Sequence, residues 1–159
     1  MSCKLKIKKS KNLEQFEKIV NTNPQTIEVG TVVNYSIKGG FNAFALSNVL
    51  DSGSSKGIPG WNYNEKALEK NREKYKKLFI KGVNRMIKKN YSISALMNEI
   101  GINASSDYKN MIESIKIPKN SPATIKKKGF NNPMVDTGKF KSNIAARINK
   151  NRIVGRGLG

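Results

Sequence analysis

The sequence predicts a single α+β domain in which a small mixed or antiparallel sheet packs against one long helix and several shorter ones. Three observations carry that expectation. Within Thr26–Tyr35, the residues Ile27, Val29, Thr31, Val33 and Tyr35 share one face at period two, as a strand requires. Phe140, Ser142, Ile144, Ala146 and Ile148 alternate in the same way with Lys141, Asn143, Ala145 and Arg147, predicting a half-buried strand over Phe140–Ile148. Between them, residues 64–90 set Leu68, Tyr75, Leu78, Phe79, Gly82, Val83, Met86 and Ile87 in one stripe at helical spacing, which is expected to pack across the sheet. A chain of 159 residues is long enough to bury a core and fits one domain.

The remaining elements follow in order. Residues 1–11 alternate Lys with Leu5 and Ile7 and read as a short edge strand or a loose basic arm. Leu13, Phe16, Ile19 and Val20 then fall at helical spacing, with Asn12 as a cap and Asn21-Thr22-Asn23-Pro24 as the stop. Val32 interrupts the polar face of the first strand, so both of its sides are candidates for cover. Gly39-Gly40 is a turn or hinge, and a short helix runs from Ala43 to Leu50. A polar loop over 51–63 holds Ile58-Pro59-Gly60-Trp61-Asn62-Tyr63. The long helix opens with Asn62 or Asn64 capping and Glu65 in its first turn, and closes among Lys81, Arg85, Lys88 and Lys89, as the helix dipole favours. Ser92 caps a helix near 93–100 closed by Gly101, and a further helix near 106–116 ends before Pro118. Ile153-Val154 adds a last extended piece ahead of a flexible tail, 155–159.

Composition narrows the chemistry. The chain has no histidine and one cysteine, Cys3, so it lacks the commonest general base and the usual zinc ligands, and an internal disulfide is impossible. No Ser-His-Asp arrangement exists. Asp136-Thr137-Gly138 matches the Asp-Thr-Gly of aspartic proteases, but that chemistry needs a second aspartate and a preceding strand, which Pro133 interrupts. No enzymatic activity, cofactor or metal is expected. No run of eighteen apolar residues and no signal-like apolar core occurs, so neither a membrane span nor secretion is expected. Net charge is +19, and after Glu113 the only acidic residue is Asp136. That gradient points to a negatively charged partner for the C-terminal third, set against the simpler reading of a solvated, lysine-rich face.

The stretch 117–138 is dense in punctuation, with Pro118, Pro122, Pro133, Gly129 and Gly138, and no helix or long strand is expected to run through it. Ile125, Phe130, Met134, Val135 and Phe140 call for burial, so it reads as an ordered, irregular arm. At its end Asp136 is expected to accept local backbone N–H bonds, and Gly138 to supply a conformation other residues avoid. Lys126-Lys127-Lys128 is a candidate for contact with phosphates or with an acidic subunit. Trp61 and Tyr63 are candidate stacking rings, or else anchors of their loop to the core.

Pro122, Thr124, Lys128, Gly129, Pro133, Asp136, Thr137 and Gly138, followed by Ser142-Asn143-Ile144, form an ordered set that resembles the bacteriophage tail-completion family, also called virion-morphogenesis or minor-tail Z-like proteins. Ile58 and Pro59 extend the resemblance upstream, although Gly60-Trp61-Asn62-Tyr63 replaces the family's Arg-Pro-Phe step. The resemblance implies a structural virion protein in the tail or neck, present in the host cytoplasm during assembly. It implies contacts with a tail terminator or head–tail connector, a homo-oligomeric ring such as a hexamer or dodecamer, and contact with packaged DNA. Loops 51–63 and 117–138 are then the docking candidates. A non-specific nucleic-acid-binding protein is the alternative, favoured by charge and disfavoured by the lack of a recognisable binding module.

Overall fold

A computed structural model of the chain describes residues 25–37, 42–88 and 91–157, together with Lys11, Leu13, Glu14, Glu17 and Asn21. Those five single residues are helical. The rest of the basic arm 1–11, Phe16, Ile19 and Val20 of the expected first helix, and the Gly39-Gly40 turn lie outside the described residues.

The architecture is α+β. Strands β1 (Ile27–Thr31), β2 (Ile144–Ile148) and β3 (Arg152–Val154) form one antiparallel sheet in the order β1-β2-β3. Ile27 stands opposite Ile148 and Thr31 opposite Ile144, while Ala146 faces Val154. The turn between β2 and β3 uses Asn149 and Lys150 at φ 50° and 64°, the left-handed pair that suits a tight hairpin. Asn149 also locks the far edge: its backbone N–H donates to the Thr26 carbonyl at 3.0 Å, and its Oδ1 accepts from the Thr26 N–H at 3.0 Å.

Both main strands are shorter than the sequence predicts. β1 stops at Thr31 instead of reaching Tyr35, because the Arg147 guanidinium takes the Val32 carbonyl and the chain leaves the sheet. β2 starts at Ile144 and not Phe140, because residues 139–142 form a single helical turn, α5 (Lys139–Ser142), that drives Phe140 into the core. Nor is β2 half buried. Ile144, Ala145 and Ala146 are all fully enclosed, as the central position and two alanines allow.

Helix α3 (Ile93–Ser114), capped by Ser92 whose Oγ accepts from the Ala95 N–H at 3.1 Å, lies against all three strands. It runs unbroken where two helices separated at Gly101 are expected. Gly101 does not end the helix; it faces the sheet. A Cβ there would stand 3.2 Å from Ala146 Cβ and 3.0 Å from Val154 Cγ2, so the missing side chain lets helix and sheet approach closely. Gly101→Ala is therefore expected to destabilise the fold by about 2 kcal/mol through overpacking, despite alanine's better helix propensity, and a chemical melt checks it.

Helix α2 (Tyr63–Lys88) packs on α3, not across the sheet, since α3 already occupies that face. Leu96 of α3 fills the space over Gly82, where an added Cβ would stand 2.1 Å from Leu96 Cδ1. Lys74–Asp107 at 2.7 Å and Arg85–Glu99 at 2.9 Å tie the flanks of the pair. The Tyr91 hydroxyl adds a bond to Glu99 at 2.6 Å and, with Arg85, holds that carboxyl below its usual range. Only part of the expected stripe is used: Leu68 and Phe79 stay exposed, as does Ile80, which the stripe did not include.

Helix α1 (Ala43–Ser52) is capped by Asn42, whose Oδ1 accepts from the Ala45 N–H at 2.8 Å. The loop 51–63 that follows is closed at its base by Trp61 N–H to Leu50 O at 3.0 Å and Asn62 N–H to Asp51 O at 2.9 Å. Asp51 Oδ1 also accepts from the Asn64 N–H at 3.0 Å. The acceptor at the start of α2 is thus Asp51, from the far side of the loop, and neither Asn62 nor Asn64. Trp61, Tyr63, Leu50, Ile112, Met134, Phe140 and Ile144 meet in one core.

Candidate interaction arm

Helix α3 ends at Ser114, and the chain then makes an excursion that returns at Asn131. Two asparagines close it. Asn131 Oδ1 accepts from the Asn120 N–H at 3.1 Å, and its amide donates to the Lys116 carbonyl at 3.3 Å. Asn132 is only 4% exposed and serves both sides of the closure. Its amide donates to the Glu113 carbonyl at 3.0 Å and to the Ile112 carbonyl at 3.4 Å, the carbonyls a helix end leaves unpaired. Its Oδ1 accepts from the N–H groups of Met134 and Val135 at 3.0 and 3.1 Å. The sequence reading missed both residues, although Asn before a Pro-bounded turn is the usual chemistry of a side chain that bonds its own backbone.

Inside the excursion the expectation of no helix fails. Residues 122–128 form α4 (Pro122–Lys128), with Pro122 at the first turn, where its absent N–H costs nothing, and Ser121 Oγ accepting from the Thr124 N–H at 3.2 Å. Gly129 closes it. Proline here starts the helix. Pro122 and Thr124 are thus the helix opening, with Thr124 Oγ1 2.9 Å from Ser121 Oγ.

The arm's surface is cationic and partly apolar. Lys116, Lys119, Lys126 and Lys127 are exposed, and no acidic residue occurs between Glu113 and Asp136. Lys128 differs from its two neighbours. Its ammonium donates to the Asn132 carbonyl at 2.8 Å and lies 5.1 Å from the Phe130 ring centroid, so it braces the arm's base. The apolar residues do not all find burial: Met134 is enclosed, whereas Phe130 is 42% and Ile117 76% exposed.

Beyond the arm comes the turn Pro133–Gly138. Asp136 does not accept the local N–H bonds expected of it; Asn132 takes the N–H groups of Met134 and Val135, and the exposed Asp136 carboxylate has no hydrogen bond or ion pair among the described residues. Thr137 Oγ1 accepts from the Lys139 N–H at 3.4 Å. Gly138 sits at φ 80°, ψ −12°, with open space where a Cβ would be, so backbone strain alone penalises a replacement. Gly138→Val is expected to cost roughly 1–2 kcal/mol, read as a lowered melting temperature. Pro133, Met134, Asp136, Gly138 and Phe140 line a recess of about 450 Å³ with Tyr35 and Leu50. The Tyr35 hydroxyl is buried there without a hydrogen-bond partner among the described residues, and burial pushes its pKa up. The Lys139 ammonium lies 4.8 Å from the Tyr35 ring centroid.

Trp61 and Tyr63 are core residues, 6% and 0% exposed, and offer no ring for stacking on bases. The Tyr63 hydroxyl is 2.6 Å from Ser47 Oγ, and burial raises its pKa. The segment expected to be a flexible tail is held over its first three residues. Lys109 donates to the Gly155 carbonyl at 2.6 Å, Arg156 to Asn143 Oδ1 at 2.7 Å, and Gly157 N–H to the Ser142 carbonyl at 3.0 Å. Leu158 and Gly159 lie outside the described residues. Burial, then the neighbouring Lys141, lower the pKa of Lys109.

Among the described residues no cluster of three His, Cys, Asp or Glu is placed to hold a metal ion, and no helix is long and apolar enough to cross a membrane. Comparison with protein-family models, with curated proteins and with solved structures finds no match.

Proposed function

We propose that this is a structural assembly protein that docks a negatively charged neighbour through the arm 116–132. In the setting implied by its resemblance to tail-completion proteins, it completes a phage tail or joins it to the neck, in contact with a tail terminator or head–tail connector. The observation that supports this is the arm itself: an ordered excursion, closed by Asn131 and Asn132, that carries exposed lysines and no carboxylate. Exposed Ile117 and Phe130 beside those lysines favour a protein surface, because apolar side chains gain from desolvation that a phosphate backbone does not offer. The sequence supplies no histidine for acid–base work, which supports a non-enzymatic reading.

Lys126→Ala/Lys127→Ala tests it. Both ammonium groups are exposed, so folding stability is expected to change by less than about 0.5 kcal/mol. Affinity for the neighbour is expected to fall roughly tenfold at low salt, with the difference from wild type shrinking as salt screens the lysines, and with unjoined heads and tails accumulating in an assembly assay. Normal assembly with this variant overturns the reading. The net charge of +19 favours the second reading, non-specific nucleic-acid binding. Saturable DNA binding at physiological salt, with particle assembly unaffected by deletion, establishes that reading instead.

A further inference from the structure

We propose that the C-terminal half of α2 is a contact surface for an anionic phospholipid membrane. This surface is separate from the arm. Arg85 pairs with Glu99 in the second turn of α3, about 22 Å along that helix from its end at Ser114, where the arm begins. No acidic residue occurs between Glu73 and Glu99, a stretch that holds Lys74, Lys76, Lys77, Lys81, Arg85 and Lys88. Glu65 and Glu69 sit at the other end of α2, in its first two turns. The carboxylates that do reach these cations are Glu73, Glu99 and Asp107, which engage Lys76, Arg85 and Lys74. Lys77, Lys81 and Lys88 are exposed and take no ion pair among the described residues. Separated by four and seven residues, they fall on one stripe about 16 Å long.

Apolar side chains stand among these charges. Phe79 is 47% and Ile80 51% exposed, which a merely solvated face does not call for. At 3.6 residues per turn, Ile80 lies between Phe79 on one flank and the lysine stripe on the other. Lys77, Ile80, Lys81, Asn84, Arg85 and Lys88 border one shallow depression, and all of them belong to α2. Among the described residues, then, no second element raises a wall beside it. A convex helix side without walls fits a plane, whereas a protruding peptide needs a groove. The chemistry is that of a helix lying in a headgroup layer: apolar side chains enter the acyl boundary while the ammonium groups stay with the phosphates. Duplex nucleic acid satisfies the lysines equally but leaves Phe79 and Ile80 in water. The contact is peripheral and needs no spanning helix.

Co-sedimentation of the full-length chain with phosphatidylcholine vesicles, with and without phosphatidylglycerol, tests this at physiological salt. The wild-type chain is expected to pellet only with the anionic vesicles. Lys77→Ala/Lys81→Ala/Lys88→Ala is expected to bind them roughly a hundredfold more weakly. The charge-matched arm variant Lys116→Ala/Lys126→Ala/Lys127→Ala is expected to lose less than about threefold, since its lysines lie elsewhere. All six positions are exposed, and thermal melts confirm folding. Ile80→Trp reports insertion: its emission is expected to be red in buffer and to shift blue with anionic vesicles, against a native Trp61 already buried in the core. Absence of vesicle binding, or equal binding to both lipids, overturns the proposal. So does an equal loss in the two lysine variants, which makes the effect one of overall charge. Blue emission of Ile80→Trp in buffer overturns it too, because another part of the chain or a second copy then covers the face. Pelleting without any shift leaves adhesion by charge alone and overturns insertion. Duplex DNA binding that the α2 variant loses, with no wild-type binding to vesicles, assigns the face to nucleic acid instead.

Discussion

Asn132→Ala is expected to lower stability by about 3 kcal/mol and the melting temperature by roughly 10 °C. The effect is large because one small side chain makes four bonds in a nearly sealed position. Alanine leaves the Ile112 and Glu113 carbonyls and the Met134 N–H short of a partner where water reaches poorly, while the Val135 N–H keeps only its 3.3 Å bond to the backbone carbonyl of residue 132. Each such orphan costs more than a formed bond contributes. Asn132→Asp separates the two halves of the role. A carboxylate still accepts from Met134 and Val135 but cannot donate to the two helix-end carbonyls, and it places negative charge against them. It is expected to be at least as damaging as alanine. Thermal melts of the two variants, with hydrogen exchange across 116–132, measure both the lost stability and the opening of the arm. An Asn132→Ala protein that melts like the parent shows that the closure lies elsewhere.

Tyr63→Ala is expected to cost about 4 kcal/mol, the range for emptying a large aromatic from a packed core. Tyr63 is wholly enclosed, meets the Phe140 ring edge-on with centroids 6.0 Å apart and planes at 88°, and pairs its hydroxyl with Ser47. Tyr63→Phe keeps the ring and loses only the hydroxyl bond, so about 1 kcal/mol is expected there. Because Phe140 also lines the recess, the alanine variant should loosen the turn at Gly138 as well as the start of α2. A urea melt of the pair, with the phenylalanine variant losing a quarter of what alanine loses, is the result that fits an aromatic in the core.

The periodic parts of the chain were legible, and the places where one residue overrides a period were not. Alternation located β1 and β2, and helical spacing located α2, because burial of one face imposes those repeats directly. Alternation does not show where a strand stops. Val33 and Tyr35 continue the pattern, yet the Arg147 guanidinium, more than a hundred residues away in the chain, takes the carbonyl that would have extended the ladder. Phe140 fits the period of β2, yet a left-handed Gly138 two residues earlier turns it into a helical turn. Gly101 is a helix stop by local rules and a close-approach residue by tertiary ones; only the position of β2 and β3 decides between them. In the arm, Pro122 is a breaker by its missing N–H, yet its place after Ser121 makes it a helix opener. The lysines were legible as a charged surface, but the asparagines that hold them in place were not, since a short polar side chain carries no periodic signal.

The sheet's pairing order also has a temporal meaning. Residues 27–31 emerge during synthesis well before their hydrogen-bonding partner, residues 144–148, which lies more than a hundred residues further along the chain. Helices α2 and α3, neighbours in sequence joined by a short connection, can pair while the chain is still tethered, because little loop-closure entropy opposes them. The face of α3 that will cover the sheet, which includes Gly101, lacks its central strand until Ile144–Ile148 has been made. Chains that terminate before Ile144 therefore lack the central strand altogether, and present a bare helical surface and an unpaired β1 to chaperones and proteases.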